Sequence, residues 1–117
     1  MYHYLASPYT HPDPSVREHR YFEALRALGW LYKHGFNVHS SIVQNHPLAV
    51  LKNLPDDINF WRDYNRAMIR FSAGVFILML EGWRESAGIK EEIEFANFLG
   101  VKITGINVLI EGGYRLT

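Results

Sequence analysis

The sequence contains no cysteine and has no excess of either charge. Without cysteine, the chain cannot form disulfides, thiolate metal sites or a cysteine nucleophile. The 12 basic side chains (Lys and Arg) equal the 12 acidic ones, so the net charge is zero with neutral histidine. Proteins whose main partner is nucleic acid or an anionic membrane usually carry a basic excess. We therefore expect neither nucleic acid nor a membrane as a partner.

Long hydrophobic segments are also absent. The longest apolar run, Ala73–Leu80, is far too short to span a bilayer. Met1 leads directly into Tyr2–Ala6, without the charged-then-apolar pattern of a signal peptide. Together with the lack of cysteine, these features predict a cytoplasmic protein.

The composition is that of one folded domain. The chain has 117 residues, of which 48% are hydrophobic and 21% are charged. A chain this apolar buries enough surface to offset the entropy lost on ordering. We expect a single domain over residues 1–117.

Short apolar segments alternate with segments of helical periodicity. The predicted strands are Tyr2–Ala6, Phe36–His39, Gly74–Leu80 and Val101–Ile103, which Ile106–Ile110 either continues or follows as a separate strand. The predicted helices run from Pro14 to His34, from Ile58 to Phe71 and from Ser86 to Gly100. Residues Ser40–Asp56 are predicted to form a long loop and Gly112–Arg115 a tail. This alternation predicts a flavodoxin-like or Rossmann-like α/β three-layer sandwich with a parallel sheet of four to five strands.

Ligands of such sheets bind beyond the carboxyl ends of the strands. Three predicted segments lie there: Ser7–Asp13, Ser40–Asp56 and Glu81–Gly88. We expect the functional side chains in these segments and in the helical turns that follow them.

The segment from Gly82 to Glu92 contains the closest grouping of candidate ligand-binding residues. Gly88 near a helix start lets a ligand approach free backbone N–H groups, which favour anions. Ser86 can hydrogen-bond a ligand, and Glu92, four residues after Gly88, shares its helix face. Equally, Ser86 can serve only as an N-cap, and Glu92 can serve only to complement the helix dipole.

A second carboxylate, Asp63, lies early in the helix that precedes the buried strand. Two carboxylates that converge on one pocket suit glycosidic bond chemistry, whereas a solvated position or a salt bridge is the ordinary role of an Asp. Trp61 and Trp83 adjoin these carboxylates and either stack on a base or fill the core. His39 and His46 flank the predicted loop and could contact a ligand.

Several motifs of cofactor and metal sites are missing. The six histidines form no zinc-binding helical pair with a glutamate. No dinucleotide-binding, P-loop or nucleophile-elbow motif occurs. We therefore expect no metal and no organic cofactor.

Taken in order, the motifs resemble those of nucleoside 2-deoxyribosyltransferase-like proteins. Tyr4-Leu5-Ala6-Ser7-Pro8-Tyr9 is similar to their first strand and loop, and Ser86-x-Gly88-x-x-x-Glu92 with the apolar-aromatic stretch after it is similar to their catalytic helix. Asp63 matches their pocket Asp. The combination of Asn45-His46-Pro47, Phe60-Trp61-x-Asp63 and Gly82-Trp83-x-x-Ser86 is similar to a small bacterial and phage subfamily.

This resemblance implies a reaction and a set of site residues. It implies that Glu92 attacks the anomeric carbon of a 2-deoxyribosyl or ribosyl unit and that Asp63 orients or protonates the leaving base. It implies that the substrate-binding residues are Ser7, Tyr9, His46, Trp83, Ser86 and Gly88. It also implies a homo-oligomer in which a C-terminal segment, here Tyr114 and Arg115, completes a neighbour's pocket.

The expected substrate is therefore a small nucleoside or nucleotide. Ser86 stands where transferases often carry Asp and is similar to the Ser of deoxynucleoside 5′-monophosphate N-glycosidases, which favours hydrolysis over base exchange. The expected function is cleavage or transfer of an N-glycosidic bond through a covalent glycosyl-Glu92 intermediate. The alternatives are a nucleotide- or nucleotide-sugar-binding module without catalysis and a protein that keeps only the fold.

Overall fold

The computed structural model describes all residues, 1–117, and shows an α/β fold. Its strands are β1 (His3–Ala6), β2 (Val38–Ser40), β3 (Val75–Met79), β4 (Ile103–Val108) and β5 (Tyr114–Leu116). Its helices are α1 (Pro14–Lys33), α2 (Ser41–Lys52), α3 (Ile58–Arg70) and α4 (Ala87–Leu99), and a 3₁₀ turn at Trp83–Glu85 precedes α4. None of the helices combines the length and the apolar character needed to cross a membrane.

The five strands form one mostly parallel sheet in the order β2-β1-β3-β4-β5. The first four strands are parallel, whereas β5 runs antiparallel to β4 and pairs Val108 with Tyr114. The prediction that Gly112–Arg115 form a tail is therefore wrong, because Tyr114–Leu116 form β5. The turn between β4 and β5 is too short for a parallel crossover, and Gly112 closes it at a φ of 88°.

Alternate residues of the central strands pack into two separate core clusters. Tyr4, Ala6, Val75 and Ile77 contact Ile69 of α3 and Ile89 and Ala96 of α4. Leu5, Phe76 and Leu78 contact Ala27 and Leu31 of α1. Both faces of β3 are buried, which explains why its sequence is continuously apolar. The predicted buried strand is therefore confirmed.

Capping residues fix the ends of α1 and α4 as predicted. Asp13 accepts a hydrogen bond from the Ser15 backbone N–H, and Pro14 occupies the first helical position. Ser86 Oγ accepts from the Ile89 N–H at 3.2 Å, and Gly100 ends α4 in the left-handed conformation.

The predicted loop over Ser40–Asp56 is wrong over most of its length, because residues Ser41–Lys52 form α2. Ser40 Oγ caps this helix by accepting from the Val43 N–H at 3.1 Å, and Asn53 ends it at a φ of 55°. The helix continues through Pro47, a residue that ordinarily breaks helices and that led to the loop prediction.

Candidate functional site

A cleft lies beyond the carboxyl ends of the parallel strands and encloses about 620 Å³, its open mouth included. Five parts of the chain line it: the end of β1 with the loop after it, α2, the connection between α2 and α3, α3 and the start of α4. The starts of α2, α3 and α4 all contribute, because the helices of such a sheet begin at this edge.

Six of the eight residues predicted for the site line this cleft: Ser7, Tyr9, His46, Ser86, Gly88 and Glu92. Asp63 and Trp83 do not. Residues from three separate segments of the sequence thus meet in one place.

Glu92 projects from α4 into the cleft, where the Tyr4 hydroxyl donates a hydrogen bond to its Oε2. Burial raises the pKa of Glu92 to about 7, the negative charge of Glu91 adds to this, and the Tyr4 hydrogen bond acts in the opposite direction. Burial and the nearby carboxylate hold the pKa of the Tyr4 phenol well above 10, so the phenol stays a neutral donor.

The neighbouring Glu91 is in a different environment. Arg62 holds its carboxylate with two N–H groups, one of them Nη2 at 3.2 Å from Oε2, and Arg66 Nη2 lies 3.5 Å from Oε1. The Arg62 hydrogen bond lowers the pKa of Glu91. Of the two adjacent glutamates, one is therefore held in an ion pair on α3, and the other faces the cleft without a basic partner.

The structure contradicts the predicted convergence of Asp63 with Glu92. The face of α3 that lines the cleft carries Ile58, Trp61 and Asn65. Asp63 follows Trp61 by two residues, a rotation of about 200° around the helix, and it is exposed to solvent. Asp63 lies on α3, as the sequence predicted. The sequence could not predict which face of that helix is turned toward the cleft.

Two other aspartates take part in the cleft. Asp56 and Asp57 form part of its exposed rim, in the connection before α3. Asp56 Oδ2 lies 3.5 Å from Arg17 Nε, whereas Asp57 occupies the N-cap position of α3 without a side-chain capping bond.

The predicted ligand contact of Trp83 is also corrected. Its ring packs against the core cluster between the sheet and α4, and the Arg84 guanidinium lies 5.2 Å from the ring centroid. Trp61 lines the cleft instead. Its indole N–H donates to the Pro55 carbonyl oxygen at 2.7 Å, which fixes the orientation of the ring.

His46 is held by two tyrosines at the cleft wall. Its Nδ1 lies 2.7 Å from the Tyr9 hydroxyl, and its ring stacks on Tyr21 with 4.5 Å between centroids. Burial lowers the pKa of His46, so the neutral imidazole predominates at pH 7. His39, the other histidine considered from the sequence, does not line the cleft and pairs with the Tyr64 hydroxyl at 3.3 Å.

Four of the five buried side-chain oxygens that have no hydrogen-bond partner line the cleft: Ser7 Oγ, Ser41 Oγ, Asn45 Oδ1 and Asn65 Oδ1. Such atoms are rare in folded proteins, and all four lie where ordered water or the polar groups of a ligand can supply the missing hydrogen bonds. Sequence reasoning missed Ser41 and Asn45 because it did not predict α2. Asn65 carried a usable signal, since it lies four residues after Trp61 on one helix face.

Ser86, at the start of α4, fits both of its predicted roles, as an N-cap and as a ligand-binding residue. The Ser86 hydroxyl caps the helix, and the residue also lines the cleft. A Cβ at Gly88 would meet only Ser86 Oγ, at 3.8 Å, so the space beside this glycine is open. No group of three potential metal-ligating side chains (His, Cys, Asp or Glu) occurs in the chain.

Replacing Gly88 with Ala is expected to separate stability from ligand binding. The change removes a glycine from the first turn of α4 and should stabilise the fold by at most about 0.5–1 kcal/mol, the value for a helix interior. The added methyl group occupies cleft space beside Ser86, so ligand affinity should fall. Urea unfolding and ligand titration of the same variant measure the two effects, and ligand affinity that is not lowered by Gly88→Ala would show that the ligand does not use this space.

Tyr114 and Arg115 belong to β5 of this chain. Tyr114 is half-buried against the core cluster under α1, with its ring 5.5 Å from that of Trp30, whereas Arg115 is exposed. Of the two residues proposed to reach a neighbour's pocket, only Arg115 has a solvent-exposed side chain that could contact another chain.

The chain is thus an α/β protein with a cleft at the carboxyl edge of its sheet, which is lined by both polar and apolar side chains and contains a carboxyl group of raised pKa. Residues 2–107 match a family described as a domain of unknown function (DUF1937), and the chain belongs to that family. A search of curated proteins gave no match.

Proposed function

We propose that the protein cleaves or transfers an N-glycosidic bond of a nucleoside or nucleoside 5′-monophosphate, with Glu92 as the nucleophile. The observation that carries this proposal is the Glu92 carboxyl group, which faces the cleft beside the Tyr4 hydroxyl and has no basic partner. Carboxyl groups whose pKa is raised by burial beside a cleft are concentrated at functional sites, and Glu92 is such a group.

The proposed reaction has two steps. In the first, a Glu92 oxygen forms a bond to the anomeric carbon, and the bond from that carbon to the base nitrogen breaks with its electron pair moving to the base, which takes up a proton. In the second, water or another base attacks the same carbon, loses a proton and releases the Glu92 carboxylate. Because side chains supply the nucleophile, the proposal needs no metal and no organic cofactor.

The fold fits the flavodoxin-like sandwich predicted from the sequence. The strand order β2-β1-β3-β4-β5 is the flavodoxin-like order, and separate core clusters join α1 to one set of strand residues and α3 with α4 to the alternate set. We infer a flavodoxin-like three-layer sandwich with an antiparallel edge strand. We also keep the prediction of a cytoplasmic location.

Ser7 and Ser86 fit the proposed role of holding the sugar or its 5′-phosphate. Both line the cleft with Glu92, and the Ser7 hydroxyl is buried without a partner. The backbone N–H groups at the start of α4 add donors that suit hydroxyl or phosphate oxygens.

A second candidate is a nucleotide-binding module without catalysis. The position of Asp63 outside the cleft favours it, because the group expected to protonate the base is missing there. Asp56 and Asp57 lie on the exposed rim, where either could serve as the acid. A panel of nucleosides and their 5′-monophosphates separates the two candidates, since the enzyme releases free base and the module only gains thermal stability.

We further propose that the protein forms a homo-oligomer, which the resemblance implies. Several large apolar side chains are exposed, including Leu51 at 76%, Phe71 at 66% and Phe98 at 81%. Light scattering after size-exclusion chromatography should give a mass of two or more chains, each of 13.6 kDa. A mass equal to that of one chain, at micromolar concentration, would rule out the oligomer.

A further inference from the structure

One wall of the cleft, formed by α2 and α3, differs from the rest in chemistry. Apolar side chains line it on both helices, and the only amide groups of the cleft are also there. We call this surface the α2–α3 wall and define it by six residues: Ile42, Asn45, Ala49, Ile58, Trp61 and Asn65.

Asn45 is the most informative residue of this wall. The residue is only 7% exposed, and its side-chain Oδ1 has no hydrogen-bond partner. The Oδ1 of Asn65, across on α3, has none either. A buried acceptor without a partner is unfavourable. These two oxygens are therefore suited to hydrogen-bond a ligand that carries N–H or O–H groups.

The surroundings of the two amides favour a flat heterocycle over a sugar. Ile42, Ile58 and the fixed ring of Trp61 provide apolar and aromatic surface, which suits the faces of a nucleobase. A sugar is hydroxylated around its ring and is better matched by the serines near Glu92. The amides are therefore placed to read the edge of a base whose faces contact the apolar side chains.

We propose that the α2–α3 wall binds the nucleobase and that Asn45 determines base specificity by hydrogen-bonding its edge. The inference rests on the proposed function and adds a specificity residue to it. An amide presents both an acceptor and donors, so Asn45 pairs with a base edge on which a donor adjoins an acceptor. A carboxylate at the same position would present acceptors only.

The test is a change of base preference in the Asn45→Asp variant. Guanine alone among the common bases has two adjacent N–H donors, on N1 and on the exocyclic N2, and these match the two oxygens of a carboxylate. Asn45→Asp should shift preference toward guanine nucleosides by about 10- to 100-fold relative to the other bases. The measurement is made at pH 8, so that a buried Asp with a raised pKa is still ionised.

Two further variants complete the experiment. Asn59→Asp makes the same chemical change at an exposed position of α3 outside the cleft, and its base preference should equal that of the wild type. Asn45→Ala removes the hydrogen bond without adding charge and should flatten base preference, which keeps the test valid if Asn45→Asp does not fold.

The readouts are the ligand-induced rise in melting temperature and the rate of base release, for ribo- and deoxyribonucleosides of each base and their 5′-monophosphates. Equal weakening of all bases in both Asn45 variants, or no change in either, would overturn the assignment of Asn45. If the wild type neither binds nor cleaves any member of the panel, the proposed function fails, and the assignment of the base wall fails with it.

Discussion

The Glu92→Gln variant is expected to release free base about 10⁴-fold more slowly than the wild type, or not at all. Glutamine nearly preserves the shape of the side chain and still accepts the Tyr4 hydrogen bond, but it cannot form the glycosyl ester. The measurement is the initial rate of base release, with the nucleoside or nucleotide that the panel identifies as the best substrate.

Glu91→Gln is the matched control for this loss of activity. It makes the same change one residue away, on a side chain that is held by Arg62 and does not line the cleft. Its rate should stay within about tenfold of the wild-type rate, because it affects Glu92 only through one nearby charge. If Glu92→Gln retains full activity, Glu92 is not the nucleophile; if neither the wild type nor any variant releases base but all bind the ligand, the protein is the binding module.

The stability of the wild type is expected to fall by up to about 3 kcal/mol between pH 4.5 and pH 8 on account of Glu92. The pKa of this carboxyl group is about 7 in the folded protein against 4.5 for the free side chain. The folded state therefore binds a proton that the unfolded state has already lost. This contribution is complete below pH 4.5 and disappears as the pH rises through 7.

Urea unfolding at a series of pH values measures this effect, and two variants isolate it. Glu92→Gln should lack the decline and be more stable than the wild type at pH 8. Glu91→Gln should keep the decline and be less stable than the wild type at pH 8. Arg62 lowers the pKa of Glu91, so the stabilising contribution of Glu91 is present above pH 4.5 and is lost as the pH falls. Parallel stability profiles for the wild type and Glu92→Gln would mean that Glu92 ionises freely and is not buried as described.

Much of the fold could be predicted from the sequence because local signals and burial agree there. The continuous apolar segment around Val75–Met79 indicated a strand covered on both faces, and Asp13 with Pro14 indicated the start of α1. Ser86 and Gly100 bounded α4 for the same reason, since caps satisfy backbone groups with residues close in sequence.

The errors arose where tertiary contacts override local preference. Pro47 lies inside α2, although proline usually ends a helix, and Tyr114–Leu116 form a strand only because the edge of β4 is available to pair with them. The face of α3 that meets the cleft depends on how that helix packs against α4. The periodicity alone therefore could not show that Asn65 lines the cleft and Asp63 does not.

The central claim is that Glu92 forms a covalent bond to the sugar, and mass spectrometry of the protein tests it most directly. The protein is incubated with a 2-deoxy-2-fluoro nucleoside, whose electron-withdrawing substituent slows the loss of a glycosyl group from an enzyme, and is then digested and mapped. We predict a mass increase of one fluorosugar on the peptide that contains Glu92, and none in Glu92→Gln. Base release without any labelled peptide, or a label on another residue, would contradict the account.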